Sequence, residues 1–242
     1  MIDLHTHILW GLDDGARNLE ESLDLARAAV ADGIEVVAAT PHVRDDFPTT
    51  ASQMESRLTE LCSALTGAGV ELDLRAGGEL ALDRLLLLEP EELRRFGLGG
   101  NPEYVLLEFP YSGWPLGLAD RIFALRRGGT TAVLAHPERN PTVQQDPERI
   151  RPLVDAGALV QVTAASVDGR LGKASRKTAF ALLERGLAHM LASDAHTPGV
   201  RAVGLSAAAH ALGGGALVDW LTNDVPAAIL SGAFIPERPV GR

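Results

Sequence analysis

The 242-residue sequence predicts an α/β fold in which parallel strands form a barrel with helices outside. Short apolar or β-branched runs alternate along the chain with longer amphipathic segments rich in Ala, Leu and Arg. Such strand–helix alternation is typical of a parallel sheet. About seven of these units fit the length, which suggests a barrel related to the (β/α)8 type. Because no low-complexity linker divides the sequence, we expect a single domain over residues 1–242.

The predicted elements follow one another with short loops between them. Strands are predicted near residues 2–5, 34–39, 72–78, 104–108, 131–135, 158–163 and 188–193. Helices are predicted near residues 19–32, 51–67, 89–95, 116–128, 146–156, 173–186, 203–211 and 225–231. The first helix has the clearest signals, since Asn18 is a suitable N-cap, two glutamates follow it, and Asp32-Gly33 ends it.

Composition excludes several classes of protein. The formal net charge of -10 argues against a general nucleic-acid binder. No apolar run approaches the roughly 18 residues of a membrane span, and no basic segment precedes the apolar start as in a signal peptide. We therefore expect a cytoplasmic protein without membrane insertion. Cys62 is the single cysteine, so an intramolecular disulfide is excluded.

His5 and His7 are separated by one residue at the end of the first predicted strand. Alternate side chains of a strand point to the same face. Both imidazoles therefore leave the same side, where they could bind one metal ion. Two surface histidines are the alternative interpretation of this pair taken alone.

Further His, Asp and Glu residues stand directly after predicted strands or in the loops that follow them. With the first pair, the candidates are His5, His7, Asp14, His42, Glu79, Glu108, His136, Asp194 and His196. The carboxyl ends of barrel strands open onto the face that carries the active site. Each residue has a structural alternative, such as a turn at Asp14, but six strands ending in this way favour a multinuclear metal site.

The donor set points to more than one ion. Nine candidates exceed the four to six ligands that a single transition ion accepts. Nitrogen and oxygen donors without thiolate suit Mn, Fe or Zn and do not choose among them. His189 and His210 are not expected to be ligands. Cys62 is expected to be buried and inert, since Ala68 stands where a cysteine phosphatase would need arginine.

Several motifs occur in a family-specific order. They are Met1-Ile-Asp-Leu-His-Thr-His-Ile, Leu12-Asp-Asp-Gly15, Leu19-Glu-Glu-Ser22, Ala39-Thr-Pro-His42, Gly77-Gly-Glu79, Leu107-Glu108, Ala135-His-Pro-Glu-Arg139 and Ala192-Ser-Asp-Ala-His196. With them the sequence resembles the PHP (polymerase and histidinol phosphatase) superfamily. Within it, the sequence is similar to the bacterial capsule- and exopolysaccharide-associated protein-tyrosine phosphatases.

The resemblance implies a distorted TIM-like (β/α)7 barrel with three divalent ions, most often Mn, with Fe or Zn as alternatives. It implies one ion on His5, His7, Glu79 and Asp194, a second on Glu79, Glu108 and His136, and a third on Asp14, His42 and His196. It also implies that Arg139 and Arg201 bind phosphate.

The resemblance further implies hydrolysis of a phosphate monoester, in which a hydroxide held between metals attacks phosphorus. The implied substrate is phosphotyrosine in a protein, in the family's usual setting the tail of a bacterial tyrosine kinase in polysaccharide biosynthesis. The sequence leaves self-association open. Tyr111 and Trp114 could form an apolar wall of a pocket for an aromatic substrate, or could pack over the barrel mouth. Alternatives are a phosphatase for histidinol phosphate or another small ester, a nuclease, and a non-catalytic metal-binding scaffold.

Overall fold

A computed structural model describes residues 1–197 and 201–239 as an α/β fold built on parallel strands. The strands are β1 (Ile2–Thr6), β2 (Val36–Ala39), β3 (His42–Arg44), β4 (Phe47–Pro48), β5 (Asp73–Arg75), β6 (Glu79–Ala81), β7 (Tyr104–Glu108), β8 (Thr131–Ala135), β9 (Leu159–Thr163) and β10 (Met190–Ala192). The α-helices are α1 (Leu19–Ala31), α2 (Ala51–Ala68), α3 (Pro90–Arg95), α4 (Leu118–Arg127), α5 (Pro141–Gln145), α6 (Arg151–Asp155), α7 (Ala164–Asp168), α8 (Gly172–Glu184), α9 (Ser206–Ala211), α10 (Ala216–Asp219) and α11 (Val225–Ser231).

The strands form two sheets. The smaller has the order β1-β2-β5 and the larger the order β10-β9-β8-β7-β6-β3-β4. Neighbouring strands pair in parallel, and the β3–β4 hairpin is the antiparallel exception among the pairings described. The predicted parallel α/β fold is confirmed.

Hydrogen bonds join the two sheets at both of their shared borders. At one border, the segment between β2 and β3 bonds to a strand of each sheet. The Thr40 amide donates to Thr6 O of β1 at 2.8 Å, and Pro41 O accepts from the Glu79 amide of β6 at 3.0 Å. After β10, the Asp194 amide donates to His5 O at 2.9 Å. Strand β1 therefore has β2 on one side and the segment after β10 on the other, as expected when the first and last strands of a barrel are adjacent.

Two predicted strands are each followed by a short strand that was not predicted. The predicted strand 34–39 contains β2 and is followed by β3, and the predicted strand 72–78 contains β5 and is followed by β6. Pro41 has no N–H for a ladder bond and separates β2 from β3. Gly78 packs against the Phe96 ring, where an added Cβ would lie 2.6 Å away from a ring carbon. As a result, His42 and Glu79 are register partners at the start of β3 and β6.

The central strands are buried along their whole length. All five residues of β7, β8 and β9 are buried, and the apolar side chains at their centres form the core. Burial on both faces explains the continuous apolar runs that predicted these strands. The helices expose one side, and the π-helical turn Trp220–Asp224 with α11 packs near β1 and β10.

The capping signals of α1 are confirmed, because the Asn18 side chain accepts from the Glu21 amide at 3.0 Å and Gly33 has φ +82°. The predicted helix 146–156 is divided into a 3-10 turn and α6. The prediction that Cys62 is buried is wrong, since its neighbour Leu61 faces the core and Cys62 is exposed about 100° further round α2. No helix in the described ranges is long and apolar enough to cross a bilayer.

Candidate metal centre

The nine predicted metal ligands lie together around the carboxyl ends of the strands. Their nitrogen and carboxylate oxygen atoms form four overlapping groups, and within each group the atoms lie within 4.8 Å of one another. The groups are His7, Asp14, His42 and His196; His5, Glu79 and His136; His5, His7 and Asp194; and His42, Glu79 and Glu108. The overlap makes one cluster that is able to bind metal.

The pair His5 and His7 has the dimensions of a metal site. Their Nε2 atoms lie 3.2 Å apart, and each lies 3.4 Å from Glu79 Oε2 and 3.4 Å from Asp194 Oδ1. Donors about 2.1 Å from one ion are separated by about 3.0 to 3.4 Å. Each imidazole nitrogen is therefore spaced from the other, and from both carboxylate oxygens, as ligands of a single ion would be.

Partners on the far nitrogens orient these imidazoles. His7 Nδ1 lies 2.6 Å from Asp13 Oδ2, and His5 Nδ1 lies 3.1 Å from Gln161 Oε1. A partner on one ring nitrogen turns the other nitrogen towards the metal position. Although burial opposes both shifts, Asp13 raises the pKa of His7 well above its usual value, and His7 lowers the pKa of Asp13 to about 2.

Glu79 is the fully buried carboxylate at the centre of the cluster. Its Oε1 lies 2.8 Å from His136 Nε2, and its Oε2 lies 2.9 Å from His42 Nδ1. Burial raises the pKa of Glu79, but the surrounding His5, His42 and His136 lower it well below its usual range. Glu79 is therefore a charged acceptor among imidazoles.

Several buried polar atoms of the cluster make no hydrogen bond of acceptable geometry within the described part of the chain, although some lie close to a carboxylate oxygen or an imidazole nitrogen. They are Glu79 Oε2, His42 Nδ1, His136 Nδ1 and His196 Nε2. Leaving such atoms unpaired is costly unless something else binds them. Divalent cations would bind unpaired imidazole nitrogens and carboxylate oxygens of this kind. Nitrogen and oxygen donors without sulfur fit Mn, Fe or Zn.

Asp14 forms the outer edge of the cluster. Its Oδ1 lies 3.2 Å from His196 Nε2 and 3.4 Å from His42 Nε2, and these contacts hold the pKa of Asp14 below its usual range. Burial, together with the nearby His7, lowers the pKa of His196 to about 4. The loop needs Gly15, because a Cβ there would lie 2.2 Å from His7 O.

Glu108 ends β7 beside a cation that the sequence did not single out. Arg44 Nη1 donates to Glu108 Oε1 at 2.7 Å. Burial, with the nearby Glu79, nevertheless raises the pKa of Glu108. Arg44 was missed because it lies on β3, a strand that was not predicted.

Arg139 and Arg201 both reach the cluster through Asp194. Arg139 Nη1 donates to Asp194 Oδ2 at 2.6 Å, and Arg201 Nη2 donates to Asp194 Oδ1 at 3.0 Å. Glu138 does not pair with Arg139 in this way, because its Oε1 accepts from Ser166 Oγ at 2.7 Å. Two guanidinium groups therefore border the candidate metal ligands, where they could bind an anionic oxygen.

Tyr111 lies over this part of the site. Its ring stacks on His136 with the centroids 5.6 Å apart, and Arg139 Cζ lies 4.9 Å from the centre of the Tyr111 ring. Trp114 instead contacts Phe109, with the ring centroids 5.7 Å apart. Of the two loop aromatics, Tyr111 is the one that borders the metal centre.

Strained backbone coincides with two candidate ligands. His136 has φ +38° and Asp194 has φ +52°, and they are the non-glycine residues with positive φ in the described ranges. Such conformations cost free energy and cluster at functional sites. The strain is independent of the side-chain chemistry that singled out these residues.

Two residues that hold the ligands in place were not predicted. Gln161 is fully buried in β9, and a polar side chain in an apolar strand was an available signal, since it needs a partner. Asp13 neighbours the predicted ligand Asp14, and nothing in the sequence indicated that it would instead contact the far nitrogen of His7. His189 and His210 belong to none of the groups found among the described residues.

Comparison with protein families gives a match over most of the chain. The sequence profile described as "Capsular polysaccharide synthesis, CpsB/CapC" matches residues 1–220. The tyrosine-protein phosphatase YwqE of Bacillus subtilis is 32% identical over 197 residues, covering 81% of this chain and 77% of the relative. The putative tyrosine-protein phosphatase CapC of Staphylococcus aureus is 30% identical over 200 residues, covering 81% and 77%.

A solved structure matches the whole fold. It belongs to a study of YwqE from Bacillus subtilis and CpsB from Streptococcus pneumoniae, described as unique metal-dependent tyrosine phosphatases. The TM-score is 0.88 at 30% identity, and the match covers 100% of both chains. The resemblance found in the motifs therefore extends to the fold.

Proposed function

Because the chain belongs to the CpsB/CapC family, we propose that it is a metal-dependent phosphomonoester hydrolase that acts on phosphotyrosine in proteins. The observation that carries this proposal is the joint position of the His/Asp/Glu cluster and two guanidinium groups, which meet at Asp194. Bound cations beside fixed arginines suit a reaction that gathers negative charge on phosphoryl oxygens.

We assign three divalent ions to the cluster, Mn first, with Fe or Zn as alternatives. The family resemblance assigns His5, His7, Glu79 and Asp194 to one ion, Glu79, Glu108 and His136 to the second, and Asp14, His42 and His196 to the third. All nine residues belong to the overlapping donor groups. When bound, the ions would supply Lewis acidity and lower the pKa of water towards neutrality.

The arginines would bind and orient the phosphoryl group. Arg139 donates to Oδ2 and Arg201 to Oδ1 of the same Asp194 carboxylate, so their N–H groups can donate to different oxygens of one phosphate. The Tyr111 ring holds Arg139 from one side and would exclude water from the leaving-group side. Arginine keeps its charge at any working pH, which lysine in such a setting need not do.

An aryl ester suits this site. The parent pKa of tyrosine is about 10, so a tyrosinate can leave with little help from a proton donor. The proposed substrate is a phosphotyrosine-bearing protein, in the capsule-synthesis setting the tail of a bacterial tyrosine kinase. We place the enzyme in the cytoplasm as a single domain over residues 1–242.

The test is phosphate release from a phosphotyrosine peptide, a phosphoserine peptide and histidinol phosphate, measured on chelated protein with Mn, Fe, Zn or Mg restored. We expect metal-dependent turnover that favours phosphotyrosine. His136→Ala should lose at least about 100-fold in kcat/KM, since it removes a ligand. His210→Ala, an exposed histidine on α9, is the matched control. A preference for histidinol phosphate would overturn the assignment of phosphotyrosine as the substrate. No turnover with any metal would overturn the proposal that the protein is an enzyme.

A further inference from the structure

A groove of about 700 Å³ opens beside the metal centre and shares two residues with it. Glu108 and Tyr111 line the groove and also border the cluster. Its walls come from the segments that follow β6 and β7, including Arg121 on α4, on the side of the fold where the candidate ligands lie. A ligand whose phosphate is at the metals can therefore extend directly into this groove.

The groove offers apolar surface to a ligand. Its apolar lining includes Leu82, Leu87, Pro110 and Pro115. Leu87 is 69% exposed, so the described part of the chain leaves most of its side chain uncovered. Apolar surface removed from water by a ligand stabilises the complex. A small ester would fill only the end at Tyr111 and leave the rest in contact with water.

Arg121 and Asp83 add charge to the lining. Asp83 caps its own turn by accepting from the Arg84 amide at 2.9 Å. Arg121 is exposed, and no carboxylate in the described ranges is within ion-pair distance of it. The third charged lining residue, Glu108, pairs with Arg44. The groove therefore combines an apolar wall with one cation that is free to bind a carboxylate.

We propose that this groove binds the peptide chain next to the phosphotyrosine, with an apolar side chain against Leu87 and an acidic side chain at Arg121. The proposal rests on the proposed function and deepens it, because it names the feature of the substrate that separates a protein from a small ester. The segments that follow β6 and β7 set the preference for residues next to the phosphotyrosine, whereas the metal cluster binds the phosphate ester.

The test compares kcat/KM for phosphotyrosine peptides with kcat/KM for 4-nitrophenyl phosphate on the Mn-loaded enzyme. Next to the phosphotyrosine, the peptides carry Leu and Asp, Leu and Lys, or only Ser. One set has these residues before the phosphotyrosine, and a second set has them after it. We expect the Leu–Asp peptide to exceed the Ser peptide by about tenfold, mainly through KM. Leu87→Asp should remove the gain from Leu, and Arg121→Glu should reverse the preference from Asp to Lys.

The control is Phe234→Asp, which removes an apolar side chain that is fully exposed and lines a different cavity. This change should leave the peptide preferences as in the wild type. Equal kcat/KM for all peptides with the wild type would overturn the proposal that the groove binds the peptide. Preferences that persist in both groove variants would also overturn it. Failure of the proposed function looks different, because phosphotyrosine peptides of every sequence would then remain intact, whether or not 4-nitrophenyl phosphate is hydrolysed.

Discussion

Gln161 shows how a residue outside the ligand set can determine what the ligands do. Its Oε1 lies 3.1 Å from His5 Nδ1 and accepts from the His136 amide at 3.2 Å. One side chain thus fixes the ring of one candidate ligand and the strained backbone of another. A buried acceptor in this place leaves His5 Nε2 free to face the cluster.

Gln161→Leu should therefore weaken Mn binding by about 10- to 100-fold, since similar volume is kept but the acceptor is lost. Gln161→Glu keeps an oxygen at the same position and should bind Mn nearly as the wild type does. Isothermal titration of chelated protein with Mn measures both. Equal Mn affinity in the Leu variant and the wild type would show that Gln161 does not position His5.

Most of the candidate site could be predicted residue by residue, because ligand-type side chains at strand ends are visible in the sequence. Arg44 could not, since its strand begins after Pro41, beyond the end of the predicted strand 34–39. Tyr111 was predicted only as one of two loop aromatics. Its stacking on His136 depends on the path of a loop that no periodic pattern specifies.

At the junction between β9 and β10, a histidine side chain accepts a backbone hydrogen bond that a carbonyl would accept in a regular ladder. The His189 amide donates to Val160 O at 2.9 Å, and the Val160 amide donates to His189 Nδ1 at 3.1 Å. This second bond needs a neutral ring nitrogen as acceptor. Burial, helped by Arg238, lowers the pKa of His189 from 6.5 to about 4.

The shift predicts a loss of stability in mild acid. Below pH 6.5 the unfolded chain binds a proton at His189 that the folded chain does not bind until about pH 4, so stability falls as pH falls through this window. His189→Asn keeps an acceptor and cannot titrate. Between pH 7.5 and pH 5, its free energy of unfolding should rise relative to the wild type by about 2 kcal/mol.

Urea unfolding at both pH values, in the same Mn-containing buffer, measures this difference. A difference between variant and wild type that is the same at pH 7.5 and pH 5 would show that His189 titrates alike in the folded and unfolded chains.

The order of strands and long helices could be predicted, whereas the interruptions could not. Apolar runs near 104–108 and 131–135 give β7 and β8 because buried parallel strands need apolar residues on both faces. The short helices α5 and α7 escaped prediction, since five residues span too little of a helical period to show one. Pro41 and Gly78 break strands through local sterics that the apolar pattern does not show.

The molecule as a whole carries an excess of negative charge that the cluster helps to explain. The net charge is -10, and Asp14, Glu79, Glu108 and Asp194 concentrate carboxylates at one end of the strands. Bound divalent ions would offset that charge locally and would stabilise the folded chain by mass action. The acidic composition was visible in the sequence, but the groove beside Tyr111 was not, because it forms between two loops of different strands.

The most direct test of the account is the number of Mn ions that the folded chain retains. Chelated protein would be reloaded with Mn, freed of excess metal, and analysed by inductively coupled plasma mass spectrometry beside Glu79→Gln. Glu79 belongs to two of the four donor groups, so its loss should affect more than one ion. We expect about three ions per wild-type chain and a clear deficit in the variant. Less than one ion per wild-type chain, with no difference from Glu79→Gln, would contradict it.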